Sequence, residues 1–297
     1  MHRRRTLGKM DRLKSMDIRT IEATAKATGP LSVPSLITPQ EAAALATKAE
    51  NVLRNIHQRY FTTQSYESFI EHHTGHTSMV MKLAAYQFAS SEVIKQLTKS
   101  LDAQDYLLHP VFYMRVVYPG VSHSEGHRRA QFDSQPHYDR TFGLDATTLW
   151  VALVDVDTET GGLCWFQGED VTALFPRQGA NRYGLTGYYD QAHEIDPVLA
   201  KGVGFRSVCA GHAIAFDSSI LHGATKPKSK KRISFDFRLI SKEAVMKGDA
   251  RAQQIFEAVA KDLDGCNERN GVMLTSDPKF LEPNATLRWQ AEYGWIA

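Results

Sequence analysis

The chain has 297 residues, with 35 Lys+Arg against 33 Asp+Glu, 42% hydrophobic and 23% charged residues, 12 His and 3 Cys. This composition excludes extended disorder and collagen-like structure, and the near-zero balance argues against a nucleic-acid partner, which needs an excess of Lys and Arg gathered in a patch. Cys164, Cys209 and Cys266 are scattered and form no CxxC, so neither a disulfide framework nor a thiolate zinc site is expected, and the compartment reads as reducing and cytoplasmic.

Met1-His-Arg-Arg-Arg is basic, but no apolar run follows it, so export is not expected. No stretch approaches the roughly 18 apolar residues that span a bilayer, and no membrane partner is expected. No Pro/Gly/Ser-rich linker divides the chain, which reads as one domain over 1–297: a mostly helical 1–109, a β-rich 110–240, and a helical, then irregular, 241–297. Asp11 to Ala27 reads as a polar helix, a surface arm ended by Gly29-Pro30. Thr38-Pro39-Gln40-Glu41 spells a capping box with Pro at the first helical position, opening a helix that runs to about Arg59. Ser78 to Ala89 and Ser90 to Leu101 have helical spacing, the second placing Val93, Ile94, Leu97 and Leu101 on one face.

Beyond His109-Pro110 come short runs of β-branched and aromatic residues: Val111 to Tyr118, Thr147 to Val156, Leu163 to Gln167, Gly202 to Val208, Ala213 to Asp217 and Arg232 to Ile240. No helical segments alternate with them, so a barrel or double-sheet jelly roll is expected rather than a doubly wound parallel sheet. Ser241 to Leu263 reads as helix again. The run Lys226-Pro-Lys-Ser-Lys-Lys-Arg232 reads as a solvated hairpin between the last two core strands.

The histidines frame the chemistry. In Pro136-His137-Tyr138-Asp139 an extended chain aims His137 and Asp139 the same way. Downstream, a strand over Ala213 to Asp217 leads to His222. Two imidazoles and a carboxylate on one face of an octahedral ion leave three positions open, the arrangement that non-haem Fe(II) oxygenases use. The triplet alone is weak, since a shuffled chain of this composition holds about 0.7 His-x-Asp triplets, and His123-Ser124-Glu125 is a rival. Arg232 strengthens the first candidate, because a guanidinium holds a carboxylate through two parallel hydrogen bonds. Strand alternation puts Arg232, Ser234, Asp236 and Arg238 on one face, lining either a wet cavity or the outside.

Taken together, His137-Tyr-Asp139, Trp150-Val-Ala-Leu-Val-Asp-Val-Asp, Gly161-Gly162-Leu163, Ala213-Ile-Ala-Phe-Asp, His222-Gly and Arg232-Ile-Ser resemble the phytanoyl-CoA dioxygenase-like branch of Fe(II)/2-oxoglutarate oxygenases. The ending Arg232-Ile-Ser-Phe-Asp-Phe-Arg238 is similar to members from antibiotic pathways of the streptomycin type. The resemblance, over roughly 110–240, implies a mainly β fold with flanking helices, its core a double-stranded β-helix (jelly roll, cupin-like). It assigns His137, Asp139 and His222 to Fe(II), and Arg232 to the distal carboxylate of 2-oxoglutarate, with O2 as oxidant and succinate and CO2 as products. Gln167-Gly168-Glu169 departs from the family's Gly-Ser-His, and Ala224 stands where members carry a serine that helps to hold the cosubstrate, so Ser234 is the substitute. Asp139 itself favours hydroxylation, desaturation or ring formation over halogenation.

Tyr113, Arg115, Trp150 and Arg238 are candidate substrate-pocket residues, against roles in core packing and surface charge. If Arg115 and Arg238 face the cavity, an anionic small-molecule substrate is expected, because unpaired buried charge is costly. The competing readings are a non-oxidative cupin-type metal enzyme (epimerase or hydrolase) and a noncatalytic jelly-roll binding module.

Overall fold

The computed structural model describes residues 16–74, 79–103, 105–108, 112–121, 132–137, 139, 146–166, 204–205, 207–241 and 243, with the backbone alone for 16, 79, 82, 86, 91, 107, 132–137 and 204–205. The expected helix after 241, the aromatic ending and His123-Ser124-Glu125 lie outside these residues.

The helical half begins with β1 (Met16–Asp17) and α1 (Ile18–Thr28), which starts on Asp17, whose side chain accepts from the Arg19 amide, and stops at Gly29 with φ 81°. It is not the surface arm expected from its polar sequence: Ile18, Ile21 and Ala25 are buried, and the helix lies on the sheet strand β10 (Ala213–Asp217). After β2 (Leu31–Val33), α2 (Pro39–Tyr60) opens on the expected capping box, with Thr38 and Glu41 bonded reciprocally. Such a cap satisfies two amides that the first turn leaves open. α3 (Tyr66–His73), which periodicity does not announce, is followed by α4 (Met79–Phe88) and α5 (Ser91–Thr98). Val93 and Leu97 of α5 are buried as expected, whereas Leu101 has left the helix for β3 (Leu101–Asp102), paired with β1.

The β half is built on nested pairing. Among the described residues its core strands are β5 (Tyr113–Val117), β6 (Phe132–His137), β7 (Thr147–Ala152), β8 (Leu163–Phe166), β9 (Gly204–Phe205), β10, β11 (Leu221–Thr225) and β12 (Arg232–Ser241). The first pairs with the last, β5 with β12, then β6 with β11, β7 with β10 and β8 with β9, all antiparallel. Two sheets result, ordered β5-β12-β7-β10 and β6-β11-β8-β9; β2 extends the first beyond β10, and β4 (Tyr106–Leu108) pairs with the far end of β12. Successive hairpins folded over in this way are the double Greek key of a jelly roll. The expected mainly β architecture with flanking helices and a double-stranded β-helix core is present.

Two details differ from expectation. The basic run after Thr225 does not close a hairpin, because β11 and β12 belong to different sheets; it crosses between them, with Lys228, Lys230 and Lys231 exposed. β12 continues to Ser241, where a helix was expected to start. Ahead of β8, Gly161 takes φ 62°, and a Cβ there would collide with the Thr225 and Lys226 carbonyls. The residue brings the β8 turn against the end of β11.

The first sheet separates two interiors. Outward, Leu149 and Val151 of β7 and Ile233, Phe235, Phe237 and Leu239 of β12 pack with the helices, Phe235 lying 5.0 Å from Phe88 between ring centroids. Inward, Trp150, Ala152, Ile214 and Phe216 meet Leu163 and Trp165 of the second sheet. Among the described residues no helix is long and apolar enough to cross a membrane.

Candidate active site

β11 carries His222, whose Nδ1 lies 3.0 Å from the Ile220 carbonyl oxygen. A carbonyl only accepts, so Nδ1 holds a proton, and in the neutral ring Nε2 presents a lone pair. That lone pair faces Asp139 Oδ2 across 3.7 Å, both side chains being buried. The imidazole also packs on Phe216, at 4.6 Å between centroids. Asp139 is held from two further sides: Arg238 Nη2 lies 2.6 Å from Oδ1, and the Thr148 hydroxyl donates to Oδ2 at 3.0 Å. A nitrogen and an oxygen acceptor facing each other fit a cation between them. Neighbouring ligands of an octahedral ion stand about 3 Å apart, so this pair needs to close by only a fraction of an ångström. The N/O donor set suits Fe, Zn or Mn.

His137 ends β6 and pairs in register with His222, so the two positions share a face of the sheet. Its side chain lies outside the described residues. Among those residues no third His, Cys, Asp or Glu joins Asp139 and His222. Burial pushes the Cys164 thiol up to about 12.

The inward row of β12 is Arg232, Ser234, Asp236 and Arg238, all buried. Of the two alternatives for this face, the outside is thereby eliminated. Arg232, with no exposed surface, donates from Nη1 to the Thr225 carbonyl at 2.7 Å. Thr225 is three residues beyond His222 on β11, about 10 Å along the strand. Ser234 has a buried hydroxyl with no hydrogen-bond partner. Ala224, where a serine was expected, is buried on β11.

The four pocket candidates separate. Arg238 and Arg115 both stack on Tyr113, each guanidinium carbon 4.8 Å from the ring centroid. Arg115 also faces Asp236, at 4.0 Å. Trp150 sits opposite Asp236 in the β7–β12 ladder and packs into the inter-sheet core. Arg115 and Arg238 thus do face the interior, but each meets a carboxylate there, so these two guanidiniums supply no argument for an anionic substrate. Burial pushes Asp236 up to about 6, against the pull of Arg115 and Arg238. Sequence reasoning did not single out Thr148 or Asp236 as site residues; their inward positions on β7 and β12 were the available signal.

No protein-family model matches the chain, and no curated protein matches it. Among solved structures it is similar to the epimerase SnoN in complex with Fe3+, alpha ketoglutarate and nogalamycin RO, at 16% identity over 75% of this chain and 83% of that one, TM-score 0.44. It is also similar to EctD from S. alaskensis with 2-oxoglutarate and 5-hydroxyectoine (16% identity, 80% of each chain, TM-score 0.45) and to AviO1 from Streptomyces viridochromogenes Tue57 (15%, 72% and 90%, TM-score 0.44). The jelly roll itself follows from the nested strand order of this chain.

Proposed function

We propose that this chain is a non-haem Fe(II)/2-oxoglutarate-dependent oxygenase of the phytanoyl-CoA dioxygenase-like branch, acting on a small molecule in the cytoplasm. The observation that carries the reading is the buried pair of acceptors, His222 Nε2 and Asp139 Oδ2, inside a jelly roll that also buries Arg232. In this reading His137, Asp139 and His222 hold the iron, and Arg232 with Ser234 holds the distal carboxylate of 2-oxoglutarate. When bound, iron, 2-oxoglutarate and O2 supply the oxidation of a substrate C–H bond, with release of succinate and CO2.

The residues have distinct tasks. The Ile220 carbonyl fixes the His222 tautomer, and Arg238 and Thr148 fix the Asp139 carboxylate, so the donor atoms are oriented before the metal arrives. Arg238 binds Oδ1, while Oδ2, which accepts from Thr148, is the oxygen turned toward His222. The guanidinium of Arg232 reaches the level of Thr225, a depth that suits the far end of a five-carbon dicarboxylate chelating a metal at His222. The unpartnered Ser234 hydroxyl, two positions along the same row, supplies the second donor. Asp139 fills the position that a halide would need, which favours hydroxylation, desaturation or ring formation.

The test is anaerobic addition of Fe(II) and 2-oxoglutarate. A visible charge-transfer band, lost in His222→Ala and weakened in Arg232→Met, is the expected result. Metal binding without a band would leave a non-oxidative cupin-type enzyme, and no metal binding would leave a binding module.

A further inference from the structure

Asp236 has no task in the scheme above, yet it lies in the middle of the site. It is 8% exposed, and its Oδ1 has no hydrogen-bond partner. Its nearest guanidinium, Arg115, stands at 4.0 Å from Oδ2, beyond hydrogen-bonding range. A buried carboxylate oxygen left open in this way is costly unless something else supplies a donor. The gap is not isolated: Ser234 Oγ and Arg238 Nε, the inward neighbours of Asp236 on either side, are also buried without partners. Three successive inward positions of one strand therefore carry open valences, while the outward row between them is packed with Phe235 and Phe237.

Register places Asp236 between Tyr113 of β5 and Trp150 of β7. It is two residues, about 7 Å along the strand, from Arg238, which grips the proposed iron ligand Asp139. A group received by Asp236 is thus held beside the metal position and between two aromatic residues, the mixture of apolar walls and few polar groups that small-molecule sites show. Charge narrows its nature. Oδ1 needs a donor, so a carboxylate or phosphate oxygen does not satisfy it. Arg115 already faces Asp236 and Arg238 already grips Asp139, so each carboxylate has its cation and a further one would add unmatched charge to a low-dielectric interior. A neutral hydroxyl satisfies the oxygen without adding charge.

We propose that Asp236 Oδ1 accepts a hydrogen bond from a hydroxyl group of the prime substrate, so that the substrate is a hydroxylated small molecule presenting an uncharged polar group beside the metal. This rests on the oxygenase reading and deepens it.

The experiment uses the full chain with Fe(II) and 2-oxoglutarate. Cyclitols and methyl glycosides, each paired with its singly deoxygenated analogues, are screened for stimulated succinate release. In the wild type one deoxygenation is expected to lower kcat/KM by about 10- to 100-fold, whereas the same pair differs little in Asp236→Ala. Asp236→Asn, which keeps the side-chain shape but replaces the charged acceptor by a neutral amide, is expected to weaken the discrimination, and it carries the comparison if Asp236→Ala does not fold. Equal turnover of every hydroxylated and deoxygenated pair in the wild type overturns the proposal. So does stimulation only by amines or acids, by no member of the panel, or a change in Asp236→Asn confined to the dissociation constant of 2-oxoglutarate. Failure of the oxygenase reading is recognised separately, by absence of the charge-transfer band in the wild type. The same pairs are then compared by calorimetry on the metal-free protein, where a hydroxyl-dependent affinity supports the Asp236 subsite and equal affinity overturns it.

Discussion

The two sides of β12 are equally buried and chemically opposite. Outward, Ile233, Phe235, Phe237 and Leu239 fill the space between sheet and helices. Inward, Arg232, Ser234, Asp236 and Arg238 are also buried, yet Ser234 Oγ, Asp236 Oδ1 and Arg238 Nε have no hydrogen-bond partner. Burial therefore does not separate core from site here. What separates them is whether each polar valence is closed within the chain. The outward row is apolar and needs no partner, whereas the inward row keeps polar atoms that the proposed ligands would satisfy.

The sharpest way to break this contrast is at Asp139. Asp139→Ala should abolish Fe(II)-dependent succinate formation and leave Arg238 buried without its carboxylate, costing about 3–5 kcal/mol of stability; denaturant unfolding and turnover measured together check both halves. An outward change of similar energetic size should behave differently. Phe235→Ala empties a fully buried ring site against Phe88 and Phe112 and should cost about 3–5 kcal/mol, while the protein that remains folded still forms the charge-transfer band. A lost band with unchanged stability would show that the two rows are not separable.

Smaller effects sharpen the comparison. Thr148→Val keeps the shape and removes one hydrogen bond to Asp139, so the Fe(II) dissociation constant should rise about 10- to 100-fold in a metal titration, with little change in unfolding free energy. The gentlest probe is pH. The folded protein raises Asp236 from 3.8 to about 6, so its folded form binds the proton more tightly than the unfolded chain does. The associated stability is fully present below about pH 4 and is lost as pH rises through about 6. Asp236→Asn should remove that slope and leave the variant about 1–3 kcal/mol more stable than wild type at pH 7, while substrate discrimination weakens. Urea unfolding across pH 4–7 checks the sign; a wild-type stability that rises through this window while the variant's stays flat would contradict it. Gaining stability as function declines is what an open valence kept for a ligand entails.

Much of the candidate site was legible in the sequence because its polar residues are concentrated in few positions. His222, Arg232 and the inward row of β12 followed from spacing and alternation, and Asp139 from its triplet. Thr148 was not readable, because a threonine inside an apolar run has nothing to mark it until a carboxylate is brought to it. The anionic-substrate expectation lost the support of Arg115 and Arg238 for the same reason: a sequence records which charges exist, not which of them meet.

The sequence by itself determined the elements with strong local signals. These were the capped helix from Pro39, the strands β5, β7, β8, β10 and β12, rich in β-branched and aromatic residues, and the jelly-roll expectation that those strands carry. It did not mark β6 and β11 as strands. Phe-Asp-Ser-Gln-Pro-His and Leu-His-Gly-Ala-Thr lack alternation and β-branched density, and each is extended because it pairs with the other, His222 opposite His137. Tertiary structure alone decided that pairing, the burial of α1 against β10, and the meeting of Arg238 with Asp139 and of Arg115 with Asp236. The physical reason is range: propensity and periodicity act over a few residues, whereas ladders and buried ion pairs join segments that only the closed jelly roll brings together.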